Sequence, residues 1–191
     1  MKKLSRSDIV SNEQYLKMRE ETRKKVIALR KLRRIEAGER LSFTFENRET
    51  VAYQIQEMMR VEHIADEQKI QHEIDVYNDL IPPAGSLSAT MFIEIQDADK
   101  IKSFLDAMQG LDRPDTVFLK IGDQKTFAEF EPGHSKEDRI SAVHYVLFRL
   151  GEEQSRKFAS SSVELHVEHP AYKARTILTS EQRQELSRDL A

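Results

Sequence analysis

Apolar residues recur with two different periods along this chain, and the change of period marks out its elements. Tyr15, Met18, Thr22, Val26, Leu29 and Leu32 follow a three/four spacing, which predicts a helix over residues 13–37, with Asn12 as N-cap and Gly38 as the residue that ends it. Leu41, Phe43 and Phe45 then alternate with Ser42 and Thr44, the period of a half-buried strand. Asn47 is placed to cap a second helix over 48–64, whose apolar row is Val51, Ile55, Met58 and Met59. A third helix is expected over 67–79, with Ile70, Ile74 and Tyr77 on one face, before Pro82-Pro83 and Gly85 break the chain.

The rest reads mainly as strands. These are predicted at 87–95, 116–121, 125–130, 139–150, 162–168 and 174–178, with helices at 98–109 and 151–159 and a last helix opened by a Thr179–Gln182 capping box. Gly122-Asp123 suggests a hairpin between two of the strands, and Pro132-Gly133 opens a polar loop. Connections this short do not allow parallel crossovers. The expected fold is therefore α+β, a mixed but mainly antiparallel sheet covered by helices. It divides into a long basic N-terminal helical arm (1–38) and a single α+β domain (39–191).

Composition narrows the function classes. The chain has no Cys, so it ligates no iron–sulfur cluster or zinc finger through thiolates of its own, and it forms no disulfides. It has no run of 18 or more apolar residues, and lysines near its start are not followed by an apolar stretch, so neither a membrane span nor a signal peptide is expected. A cytoplasmic globular protein is the expectation. The net charge of −3 is uneven: residues 1–34 carry +8, leaving −11 on the other 157. A basic helix of this kind, through Arg23, Lys24, Arg30 and Lys31, can dock on an acidic partner, an RNA or an anionic surface, or lie on its own acidic body. Nucleic acid is disfavoured, because segment 23–34 lacks an aromatic residue for stacking and no recognition motif is present. The same helix is compatible with a homodimer.

Candidate chemistry lies in polar residues that share faces with apolar ones. Glu57 and Arg60 are three apart on the second helix, and Glu73 sits beside Ile70, Ile74 and Tyr77 on the third. A carboxylate brought near the core there needs a cation, a hydrogen-bond network or a proton, and Arg60 is the evident cation. His144 shares a strand face with Ile140, Ala142, Val146 and Phe148, so it should be buried, as should His169 beside Val163, Leu165 and Val167; His166 points the other way. Glu94 shares a face with Thr90 and Phe92, which can face the helices. Glu57, Arg60, Glu73, Glu94 and His144 are the catalytic or ligand-binding candidates. Glu94, His144 and His169 are the weak metal candidates, without the local spacing of a known metal motif.

Five segments carry a family resemblance. Residues 53–62 (YQIQEMMRVE), 73–82 (EIDVYNDLIP), 87–95 (LSATMFIEI), 141–148 (SAVHYVLF) and 167–174 (VEHPAYKA) together resemble an uncharacterised bacterial family, domain of unknown function 3501. The resemblance implies functional positions at Gln54, Gln56, Glu57, Arg60 and Glu62, at Glu73, Tyr77 and Asn78, at Thr90 and Glu94, at His144, and at His169 and Tyr172. It supplies no activity. Its members resemble proteins encoded near rubrerythrin-like and iron–sulfur oxidoreductase genes, which implies a redox or peroxide-stress setting. Three functions are thus in play: an accessory protein for an iron–sulfur oxidoreductase or rubrerythrin-like partner, a small enzyme or metal- or ligand-binding protein with a Glu/Arg/His site, and an RNA- or anionic-surface binder through the N-terminal helix. In each case a single polar cluster is expected between the helix pair and the sheet.

Overall fold

The structure, a computed structural model, describes residues 1–133, 135–136 and 139–190. Helix α1 (Asn12–Arg33) opens the chain after a short N-terminal segment, and Ser11 rather than Asn12 caps it, its hydroxyl accepting from Gln14 N–H. Strands β1 (Arg34–Ala37) and β2 (Leu41–Glu46) follow, then α2 (Arg48–Val61) and α3 (Glu67–Asn78). Strand β3 (Ser86–Ile93) leads through α4 (Ile101–Ala107) to β4 (Val117–Ile121) and β5 (Gln124–Phe130). The small pair β6 (Ser135–Lys136) and β7 (Arg139–Ile140) precedes β8 (Val143–Arg149). Helix α5 (Glu152–Lys157), β9 (Val163–His169), β10 (Tyr172–Ile177) and α6 (Ser180–Ser187) complete the chain.

Eight strands form one sheet in the order β1-β2-β3-β8-β5-β4-β9-β10, and every pairing among the described residues is antiparallel. The sheet curls until its edges nearly meet. Tyr172 Oη on β10 donates to Ala37 O at 2.6 Å and accepts from Arg40 N–H at 3.1 Å, while Thr176 Oγ1 donates to Glu36 O at 2.6 Å. These bonds bridge β10 to β1, leaving an α+β protein built on a nearly closed barrel. Gly38 makes the approach feasible: it lies at φ +72°, and a Cβ there would collide with the Tyr172 hydroxyl.

Alternation decides which side chains fill the barrel. Leu41, Phe43 and Phe45 of β2, Leu87, Ala89 and Met91 of β3, and Val146 and Phe148 of β8 join Val117, Leu119, Val163, Leu165 and Val167 in its apolar interior. A second, smaller core lies outside the barrel. There Val51, Ile55 and Met59 of α2 meet Ile70 and Ile74 of α3, with Leu4 and Ile9 of the N-terminal segment and Tyr145 of β8 packed against them.

Several boundaries differ from the sequence pattern. Residues 34–37, expected as the last turn of a 13–37 helix, form β1, because Ile35 and Ala37 gain more by entering the barrel than by staying on α1. The buried face of α1 keeps most of the expected row, with Tyr15 and Val26 buried and Thr22 and Leu29 half-buried; Met18 and Leu32 are exposed instead, and Arg33 joins the buried side. The expected 139–150 strand is broken into β7 and β8 at Ser141–Ala142, where Ser141 O accepts from His144 Nε2–H at 2.9 Å and Ser141 Oγ accepts from Val143 N–H. The expected 98–109 helix is a short 3-10 turn followed by α4. The polar loop opened by Pro132-Gly133 falls partly outside the described residues.

Candidate functional site, a polar cavity beneath the helices

The outer face of β2, β3 and β8 is polar where the helices cover it. Register pairs Thr44 with Thr90 and Thr90 with Tyr145 across the three strands, and on the next row Glu46 with Ser88 and Ser88 with Leu147. Arg34 of β1 lies opposite Thr44. A sheet face packed under helices is normally apolar, since each buried polar group needs a partner. Here the polar row floors a cavity of about 410 Å³. Helix α1 contributes Arg30 to its walls, α2 contributes Tyr53, Gln54 and Glu57, and Phe92 and Val143 add apolar surface. A neighbouring cavity of about 450 Å³ lies along the same sheet face and shares Glu46 and Tyr145 with the first.

Glu57 is the hub of the helix side. Its carboxylate accepts from Arg19 Nε at 2.7 Å and Nη2 at 3.0 Å, from Tyr15 Oη at 2.7 Å and from Arg60 Nη2 at 3.0 Å. The Arg19 guanidinium, helped by Tyr15 and Arg60, holds the Glu57 carboxyl down to about 2 against the opposing effect of burial. Burial and the Glu57 charge together raise the Tyr15 hydroxyl well above its ordinary value. This network pins α1 to α2.

Glu46 is the hub of the sheet side. It is 3% exposed, and its carboxylate accepts from Thr50 Oγ1 at 2.5 Å and Thr90 Oγ1 at 3.0 Å. It has no ion-pair partner among the described residues. Arg30 also has none; its guanidinium lies 5.6 Å from the Tyr53 ring centroid, and its buried Nε has no hydrogen-bond partner. By contrast Arg34 is held by Glu36 at 2.7 Å and Glu94 at 2.6 Å. Burial, and then Tyr77, Glu131 and Glu46, raise the Tyr145 hydroxyl.

The residues singled out from sequence do not all converge. Glu57 and Arg60 meet, and Glu57 lines the cavity. Glu94 sits at the cavity's edge through Arg34 and accepts from Ser42 Oγ at 3.0 Å. Glu73 is half-buried on α3 and makes no hydrogen bond or ion pair among the described residues. His144 is 1% exposed, but it points into the barrel, edge-on to Phe130, on the opposite face of the sheet from Thr90. His169 bonds Gln109 O at 3.0 Å through Nε2. Glu94, His144 and His169 do not gather, and among the described residues no group of three or more His, Asp or Glu could hold a metal ion. His166, on the other face of the strand, is half-buried, stacked on Phe118 with centroids 4.7 Å apart and bonded to Glu164 at 2.7 Å.

Other positions implied by the resemblance are structural ties. Gln56 exchanges two hydrogen bonds with the Val10 backbone, and Asn78 does the same with Leu4, so the N-terminal segment is stitched to α2 and α3. Glu62 is exposed at the end of α2. The residues that pattern reasoning missed are Arg34, Thr44, Glu46, Tyr53 and Tyr145. The available signal was the polar side of the alternating segment 41–46, which resembles a solvent-facing strand face until the helices are placed over it.

The fold and the cavity define a class: nearly closed antiparallel barrels with a helical cover over a polar recess on the outer wall. The chain belongs to the family of proteins of unknown function DUF3501, whose pattern it matches over residues 3–190. It is similar to a crystal structure of a novel protein of unknown function from Burkholderia pseudomallei K96243, with a TM-score of 0.92 and 31% sequence identity over 100% of both chains. No curated protein matches it. No helix among the described residues is long and apolar enough to cross a membrane.

Proposed function

We propose that this protein binds a small polar molecule, in the cytoplasm, within the cavity between α1, α2 and the outer face of β2, β3 and β8. The observation that carries the reading is the polar floor Thr44–Thr90–Tyr145 beneath a helical cover, together with a cavity volume of about 410 Å³. That size suits a small ligand, and a few convergent polar groups among apolar walls are what fix a ligand's orientation. Screening a library of small polar metabolites by thermal shift is expected to find compounds that raise the melting temperature. Val143→Phe, which fills the cavity, is expected to abolish those shifts with the circular dichroism spectrum unchanged. Shifts that survive Val143→Phe, or a library without a single hit, contradict the reading.

A second reading, favoured by the surface of α1, is an accessory role beside an iron–sulfur oxidoreductase or rubrerythrin-like protein. Leu16 and Ile27 are 59% and 42% exposed, on one face with the exposed Arg23, Lys24 and Lys31. Apolar side chains set among cations suit an acidic partner with an apolar centre. Arg30 does not join this face, because it turns in over Tyr53. Pull-down at low ionic strength should retain such a partner, and Arg23→Glu with Lys24→Glu and Lys31→Glu should release it. Absence of any association under those conditions removes this reading.

A further inference from the structure

We infer that the ligand of the helix-covered cavity is a zwitterion, one ammonium and one carboxylate group on a small apolar or aromatic body, of the free α-amino-acid class. The inference rests on reading the cavity as a binding site and specifies what that site accepts.

Charge matching within the cavity wall leads to this class. Four charged side chains line it: Arg30, Arg34, Glu46 and Glu57. Two are already matched inside the protein, since Glu57 is held by Arg19 and Arg60 and Arg34 by Glu36 and Glu94. One cation and one anion are left. Among the described residues Arg30 has a buried Nε without a partner, and Glu46 receives only the hydroxyls of Thr50 and Thr90. Both line the cavity, and among the described residues they form no ion pair with each other.

Hydroxyl donors solvate a carboxylate but bring no opposite charge, so Glu46 still gains from a cationic partner. A ligand carrying only a carboxylate would satisfy Arg30 and be repelled by Glu46. A simple amine would satisfy Glu46 and be repelled by Arg30. A zwitterion satisfies both. Tyr53, Phe92, Val143 and Tyr145 provide the apolar and aromatic wall for its side chain.

Matched ligands test the inference by calorimetric titration: the free aliphatic and aromatic α-amino acids, their N-acetyl derivatives, which lack the ammonium charge, and the corresponding amines, which lack the carboxylate. At least one free amino acid should bind, and its acetylated and decarboxylated counterparts should bind roughly tenfold or more weakly, the loss expected for a charged hydrogen bond in a shielded site. Glu46→Gln should weaken the free amino acid by a similar factor and strengthen the N-acetyl form, whose repulsion by the Glu46 carboxylate it removes. Arg30→Gln should weaken the amino acid and strengthen the amine, whose repulsion by the guanidinium it removes. Circular dichroism confirms that both variants keep the native fold. An N-acetyl derivative that binds as tightly as its parent overturns the zwitterion while leaving the binding cavity intact. Failure of all three ligand classes also overturns it, and the metabolite screen then decides separately whether the cavity binds anything.

Discussion

Replacing Arg33 by Met is expected to cost about 3–5 kcal/mol, enough to bring a domain of ordinary stability close to unfolding at room temperature. Arg33 is fully buried at the end of α1. Its Nη1 donates to Glu185 at 3.0 Å, its Nη2 bonds Asp189, and its Nε and Nη2 donate to the carbonyls of Phe45 at 2.8 Å and Glu46 at 3.2 Å. One guanidinium thus joins α1, β2 and the C-terminal helix. Burial already pushes the Asp189 carboxyl up, and Arg33 pulls it back. Without Arg33, the buried Asp189 carboxyl loses its cation, Glu185 keeps only Arg188 at 2.7 Å, and two carbonyls lose their donor. The deficit should narrow as pH falls and the stranded Asp189 carboxyl, already pushed up by burial, takes up a proton. Adding Glu185→Gln and Asp189→Asn to Arg33→Met should recover part of the loss, because the stranded charges are then gone. Urea denaturation measures all three proteins. A loss below about 1 kcal/mol for Arg33→Met would mean that the cluster does not hold the C-terminal helix.

Glu57→Gln is the second large effect. The substitution keeps the shape of the side chain but removes the charge that Arg19, Arg60 and Tyr15 converge on. A loss of about 2–3 kcal/mol at pH 7 is expected, bounded by a carboxyl held at about 2 against an ordinary value of 4.5. The sign follows from that depressed value. The contribution is complete above the unfolded value and is lost as pH falls from about 4.5 toward 2, where the folded carboxyl also takes its proton. Wild type should therefore lose more stability than Glu57→Gln between pH 6 and pH 3, and the two should converge. Parallel pH profiles would show that the network contributes no charge-dependent stability.

The sequence pattern made the elements legible wherever one local period dominates. Segment 41–46 alternates and is β2, with Phe43 and Phe45 inside the barrel. Asn47 caps α2 through bonds to Glu49 N–H and Thr50 N–H, and Thr179 caps α6 through Gln182 N–H, as the local residues predict. Long-range facts were hidden. Strand β1 is four residues long and follows a helical pattern without a breaker, so only its pairing with β2 reveals it. Arg33 reads as one more cation on a basic helix, because Glu185 and Asp189 lie 152 and 156 positions away. The polar cluster between helices and sheet was legible as a region, through Glu57, Arg60, Thr90 and Glu94. Its chemistry was not: Thr44, Glu46 and Tyr145 read as solvent-facing positions, and only the helical cover turns them into a cavity floor.

Among the described residues the barrel interior is filled mainly by apolar side chains. The helical cover and the polar outer wall therefore carry the functional account. Its central claim is that the cavity bounded by Arg30, Glu46, Tyr53, Thr90 and Tyr145 holds a small ligand. The most direct measurement is a crystal structure of the protein grown with the strongest compound from the metabolite screen. The account predicts density for that compound inside the cavity, within hydrogen-bond distance of Arg30 and Glu46. Density on another surface, with the cavity closed by its own side chains, would contradict it.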